Sequence, residues 1–137
     1  MRAAALLFAL LAGAAQADTT IGLHLGSQHY PARDLNNVNP GVYVLHDGWT
    51  AGVYRNSYRR PTVYGGYSWN LYRGDWVRLD LTAAVATGYR QETGQALRPI
   101  VLPSVAFGGD TRVRISYGAR PNKRSTHVVH LSIERSL

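Results

Sequence analysis

Val77-Arg78-Leu79-Asp80-Leu81-Thr82-Ala83-Ala84-Val85 alternates apolar and polar residues with a period of two. Successive side chains of a strand point to opposite faces, so Val77, Leu79, Leu81, Ala83 and Val85 share one face and Arg78, Asp80, Thr82 and Ala84 the other. The pattern returns between Thr111 and Gly118, where Val113, Ile115 and Tyr117 oppose Arg112, Arg114 and Ser116. It returns again where Val129, Leu131 and Ile133 oppose His130, Ser132 and Glu134. Working outward, the candidate strands are Thr19 to Tyr30, Gly41 to Leu45, Trp49 to Tyr58, Thr62 to Tyr72, Trp76 to Tyr89, Pro99 to Gly108, Thr111 to Gly118 and Thr126 to Arg135, with no segment after the leader reading as a helix. The pattern predicts an all-β fold, an eight-stranded antiparallel up-and-down β-barrel of the outer-membrane type. Charged groups would be unpaired in lipid, so the apolar set is expected outside and the polar set inside.

The N-terminus fits export. Arg2 supplies a positive charge, Ala3 to Ala15 form an apolar run too short to span a bilayer, and Ala15-Gln16-Ala17 is a small-x-small cleavage site. Residues 1–17 are therefore read as a cleavable signal peptide and 18–137 as a single barrel domain. With no cysteine in the chain, disulfides cannot hold it, and closure of the sheet must do so. Removing the leader takes Arg2 and no acid, which leaves 14 Lys and Arg against 8 Asp and Glu. Arginine's planar fork suits phosphate or carboxylate, so an anionic partner is expected. An exported chain without a nucleic-acid-binding module excludes nucleic acid.

Connections alternate in length. Asp47-Gly48, Arg73-Gly74-Asp75 and Gly109-Asp110 are tight turns, whereas Pro31 to Pro40, Arg59 to Pro61, Arg90 to Arg98 and Ala119 to Ser125 are longer or carry proline. Outer-membrane barrels place short turns in the periplasm and long loops outside. The long segments carry Arg33, Arg59, Arg60, Arg90, Arg98, Arg120, Lys123 and Arg124, a cationic rim suited to lipopolysaccharide phosphates. Nine Tyr and three Trp suit the membrane interfaces.

His24 lies between Gly22 and Gly26, on the face opposite Ile21, Leu23 and Leu25, and so points inward near the outer rim. Ser57, in Tyr54-Arg55-Asn56-Ser57-Tyr58, closes the third strand at the same end. A histidine and a serine near one rim are parts for base-assisted acyl transfer. His29 and His46 lie near strand ends, and His127 and His130 sit on opposite faces of one strand, a poor metal pair. These four are read as structural or surface residues, and no metal site or cofactor motif is expected.

From Thr20 onward the chain resembles the lipid A palmitoyltransferase (PagP) family of outer-membrane barrels. Thr20-Ile21-Gly22-Leu23-His24 is similar to the motif holding the family's catalytic histidine. Asn56-Ser57 followed by Gly66-Tyr67-Ser68-Trp69 is similar to its Asp-Ser pair and Gly-Tyr-Gly-Trp strand. Asn39-Pro40-Gly41 and Val101-Leu102-Pro103 match segments where the family's wall opens to lipid. The resemblance implies a catalytic set of His24, Ser57 and Asn56. It also implies an acyl pocket at Gly66, Tyr67 and Ser68, with Ser68 at its floor, and lateral lipid access at Pro40 and Pro103. Arg59 and Arg60 are expected to meet lipid phosphates. Asn56 stands where the family has aspartate, and an amide can orient a histidine but cannot stabilise its cation as a carboxylate does. The family's N-terminal amphipathic helix has no counterpart in the short stretch before the first strand.

The function implied is transfer of a fatty acyl chain from phospholipid to lipid A by a monomeric outer-membrane enzyme without a cofactor. Two alternatives stand beside it. One is a non-enzymatic outer-membrane barrel that binds lipid or stabilises the envelope; the other is a soluble exported barrel that binds a small ligand.

Overall fold

In the computed structural model, which describes residues 18–137 apart from 121, 122 and 124, the chain closes into one barrel with its eight strands in sequence order. The expected leader at residues 1–17 and the rim cation Arg124 lie outside the described residues. The strands are β1 (Thr19–Tyr30), β2 (Val38–His46), β3 (Trp49–Arg55), β4 (Pro61–Arg73), β5 (Val77–Ala86), β6 (Arg98–Gly108), β7 (Thr111–Gly118) and β8 (His127–Ser136). All neighbours are antiparallel, and β1 meets β8 from Thr20 opposite Ser136 to Tyr30 opposite His127. Asp47 and Gly48 both take positive φ, 49° and 87°, the twist a two-residue hairpin requires.

Polarity is inverted relative to a water-soluble protein. Glu134 is 2% exposed, whereas Trp76 is 71% exposed. Asp80, Arg112, Arg114 and Ser132 are likewise buried, while Leu23, Val42, Val53, Val63, Val113 and Leu131 lie outside. An apolar exterior is the stable arrangement against hydrocarbon. The half of the interior nearer the short turns is filled by a charge network. Arg114 Nε and Nη2 donate to the two carboxylate oxygens of Glu134, each at 2.8 Å. Arg112 Nε donates to Glu134 at 3.0 Å and Arg114 Nη1 to Asp80 at 2.8 Å. Each carboxylate is therefore neutralised where it is buried.

Four features depart from the period-two reading. First, a bulge between His24 and Gly26 shifts the β1 register against both neighbours. One extra residue moves every later side chain to the other face, so Ser27 and His29 point inward beyond it. Second, β3 stops at Arg55, because Asn56 opens a turn. Third, β5 stops at Ala86, and the following loop contains a single helical turn, α1 (Arg90–Thr93), closed by Gly94 at φ 71°. That loop was expected to hold no helix; its glycine supplies the left-handed residue that ends one. Fourth, β6 and β7 pair only from Gly108 opposite Arg112 to Ser104 opposite Ser116, although β6 continues along β5 as far as Arg98. Among the described residues, β6 and β7 therefore make no ladder pair above Ser104, which leaves a gap in the hydrogen-bonded wall there.

Candidate functional site

The outer half of the barrel holds a cavity of about 260 Å³. One wall is aromatic and polar, with His24 of β1 at its centre. His24 Nδ1 lies 2.9 Å from His130 Nε2, and His24 Nε2 lies 3.0 Å from the Tyr64 hydroxyl. The rings of Tyr43 and Tyr54 flank the imidazole at 4.8 and 5.0 Å between centroids. These large rings fit because glycines face them: a Cβ on Gly22 would lie 2.1 Å from Tyr43 Cζ, and one on Gly52 2.7 Å from Tyr64 Cε1. The other wall is apolar and comprises Ile100 and Leu102 of β6, Ala84 of β5 and Val128 of β8. This apolar wall adjoins the gap between β6 and β7.

Ser57 lines the same cavity from the loop between β3 and β4. Its carbonyl accepts from Asn36 N at 2.8 Å, which ties that loop to the one before β2. Its hydroxyl makes no hydrogen bond with His24. Asn56 is fully buried, and its amide is used within its own surroundings. Nδ2 donates to Thr62 Oγ1 and to Gly88 O, and Oδ1 accepts from Tyr58 N and Arg60 N. These four bonds exhaust the amide's capacity. The histidine expected to be oriented by Asn56 is instead held by His130 and Tyr64.

Ser68 points inward and lies at the lower end of the cavity, where it also borders a second hollow toward the short turns. Its hydroxyl accepts from Thr82 Oγ1 at 2.9 Å. Gly66 is also inward, but a Cβ there would lie 2.1 Å from Ala83 O, so its place is set by close approach of β5. Tyr67, expected in the acyl pocket, faces outward and packs against Trp49 and Trp69, with centroids at 5.2 Å from each. The alternation along β4 requires this, because Ser68 points inward.

At the rim, Arg59 takes φ 61° and reaches Asp34 at 3.7 Å. Arg60 Nη2 lies 2.7 Å from the Gln91 side-chain amide, which accepts from it when its oxygen is turned toward the guanidinium. Arg98, counted among the rim cations, turns inward instead: it donates to Glu92 at 2.5 Å and lies over the Tyr89 ring at 4.8 Å. Glu92 also accepts from Ser125 Oγ at 2.6 Å, so α1 is strapped to the last loop across the cavity mouth. Burial pushes the Tyr89 hydroxyl above its ordinary pKa, and the Tyr58 hydroxyl is raised by burial and then by Glu92.

Pro103 is the first β6 residue without a β7 partner and stands opposite Leu81 of β5. Pro99 and Pro103 lie four residues apart on β6 and so remove two N–H donors from the same strand edge. Pro40 lies beside the β1 bulge, where the ladder skips from His24 opposite Gly41 to Gly26 opposite Val38. His127 stacks on Tyr117 outside the barrel, on the face opposite His130. The sequence does not place His130 beside His24, because β1 and β8 become neighbours only when the barrel closes and the two residues lie 106 positions apart. The only available signal was its inward parity on β8.

A closed eight-stranded barrel with an apolar exterior and paired charges inside is a β-barrel of the membrane-spanning type. No family model matches the sequence, and no curated protein is significantly similar to it. Among solved structures, the chain is similar to the solution NMR structure of the de novo designed TMB2.3, with a TM-score of 0.59 and 9% identity over 88% of this chain and 94% of that one. At that identity the likeness is one of fold.

Proposed function

We propose that the protein is an outer-membrane acyltransferase that admits a phospholipid acyl chain into the outer cavity through the gap between β6 and β7 and transfers it to lipid A. The observation that carries this reading is the position of the gap. It meets the apolar wall of Ile100, Leu102 and Val128, while His24 and Ser57 border the same cavity. An acyl chain entering from the bilayer would stay in apolar surroundings and bring its ester toward polar side chains. His24 acts as general base, and either Ser57 attacks the ester to form an acyl-enzyme or a lipid A hydroxyl attacks directly with Ser57 polarising it. Neither route calls for a metal or organic cofactor. Ser68 at the lower end of the cavity limits chain length, and Arg59 and Arg60 meet lipid phosphates. Closure of the sheet, interrupted only over the upper part of β6 and β7, leaves no whole strand edge for pairing, which favours a monomer.

A second reading, a lipid-binding barrel without catalysis, is favoured by one observation: both His24 nitrogens have protein partners and Asn56 is committed to its loop. Purified protein in mixed micelles, given phospholipid with a labelled acyl chain and lipid A, separates the two. Transfer that disappears in Ser57→Ala and His24→Ala supports the enzyme. Folded wild-type protein that retains the labelled phospholipid without transferring its chain supports the binder.

A further inference from the structure

We infer that His130 is the positioning residue for His24, fixing its tautomer and ring orientation so that His24 Nε2 serves as the proton acceptor. The catalytic consequence rests on the acyl-transfer reading above, whereas the contact itself does not. Two imidazole nitrogens 2.9 Å apart share one hydrogen, so one ring donates and the other accepts. If His24 Nδ1–H donates to His130 Nε2, His24 Nε2 is left with a free lone pair facing the Tyr64 hydroxyl. That is the tautomer a general base needs.

The surroundings leave His24 little freedom to choose another pose. Tyr43 and Tyr54 hold its two sides, and Tyr64 meets its far edge at 5.7 Å between centroids. His130 reaches it because the β1 bulge sets Ser27, rather than a residue of His24's own parity, opposite His130 on β8. Both imidazoles then project into the same cavity. Among the described residues no carboxylate contacts His24, so His130 is the group placed to accept from Nδ1.

The transfer step balances on these groups. The attacking hydroxyl gives its proton to the Tyr64 oxygen as the Tyr64 proton passes to His24 Nε2, and the new acyl C–O bond forms. The imidazolium, with Nδ1–H held on His130, then returns the proton by way of Tyr64 to the glycerol oxygen as the old ester C–O bond breaks. Asn56 takes no part in this chain.

His130→Ala and His130→Gln test the inference, since a glutamine amide reaches the place of the Nε2 atom. Both variants are first shown to be folded by their resistance to unfolding in detergent. With labelled phospholipid and lipid A, His130→Ala should lower kcat by at least about tenfold while KM stays within about twofold, and His130→Gln should recover part of kcat. Histidine 15N resonances should show a single Nδ1-protonated tautomer for His24 in the wild type and in His130→Gln, lost in His130→Ala. Wild-type kcat in His130→Ala, or an unchanged His24 tautomer there, would overturn the inference. A wild-type chain that transfers no acyl group would strike the functional reading instead, and the tautomer signals would still decide whether His130 holds His24.

Discussion

Gly52 and Tyr64 stand opposite each other in the ladder between β3 and β4, and the tyrosine ring occupies the space a Cβ on Gly52 would need. The missing side chain on one strand lets the hydroxyl on the next reach His24.

Replacing Gly52 by alanine should therefore displace the Tyr64 ring, break its hydrogen bond to His24 and cost about 1 to 3 kcal/mol through overpacking. Urea unfolding of the lipid-reconstituted protein measures the cost. Combining Gly52→Ala with Tyr64→Ala removes the clash, so the double variant should lose less stability than the two single variants added together.

Glu134 receives three hydrogen bonds from Arg112 and Arg114. Glu134→Ala leaves two buried guanidinium groups with reduced compensation and should destabilise the barrel by about 3 to 5 kcal/mol. The midpoint of urea unfolding should fall accordingly. An exposed pair such as Arg59 and Asp34 should contribute no more than about 1 kcal/mol in the same assay.

Asn56→Asp restores the residue type found in the family this chain resembles, yet the surroundings of Asn56 predict damage. Nδ2 donates to Gly88 O at 2.8 Å, and a carboxylate there would set oxygen against oxygen in a fully buried place. A loss of about 1 to 3 kcal/mol and faster proteolysis in the loop between β3 and β4 should follow. Higher stability or markedly higher activity in Asn56→Asp would show that the loop is arranged differently.

Trp49, Trp69 and Trp76 lie near the short turns with their rings exposed. Reconstituted protein should show tryptophan emission quenched by lipids brominated near the headgroup, and less by lipids brominated at the end of the chain. Equal emission with and without brominated lipid would place these rings in water.

The strand pattern was legible wherever alternation ran unbroken, as in β5, β7 and β8, because inverted polarity makes every second residue informative. It failed at the β1 bulge, since an inserted residue reverses the facing of Ser27 and His29 without any change in composition. The family resemblance implies Asn56 and Ser57 as one functional pair, but a turn sends neighbouring side chains to different surroundings. Asn56 sits in the wall of the loop and Ser57 at the cavity. His130 could not be paired with His24 from sequence, because the contact forms where β8 closes on β1 and depends on the register between them. Proline cannot donate to a ladder, and the β6–β7 pairing stops beside Pro103.

The most direct measurement is mass spectrometry of lipid A from a Gram-negative host that lacks such an enzyme and expresses either the wild-type chain or Ser57→Ala, with both proteins shown folded in the outer membrane. Acyl transfer predicts an added fatty acyl mass with the wild type and none with the variant. Unmodified lipid A with the folded wild-type protein, or the same added mass with both proteins, would contradict it.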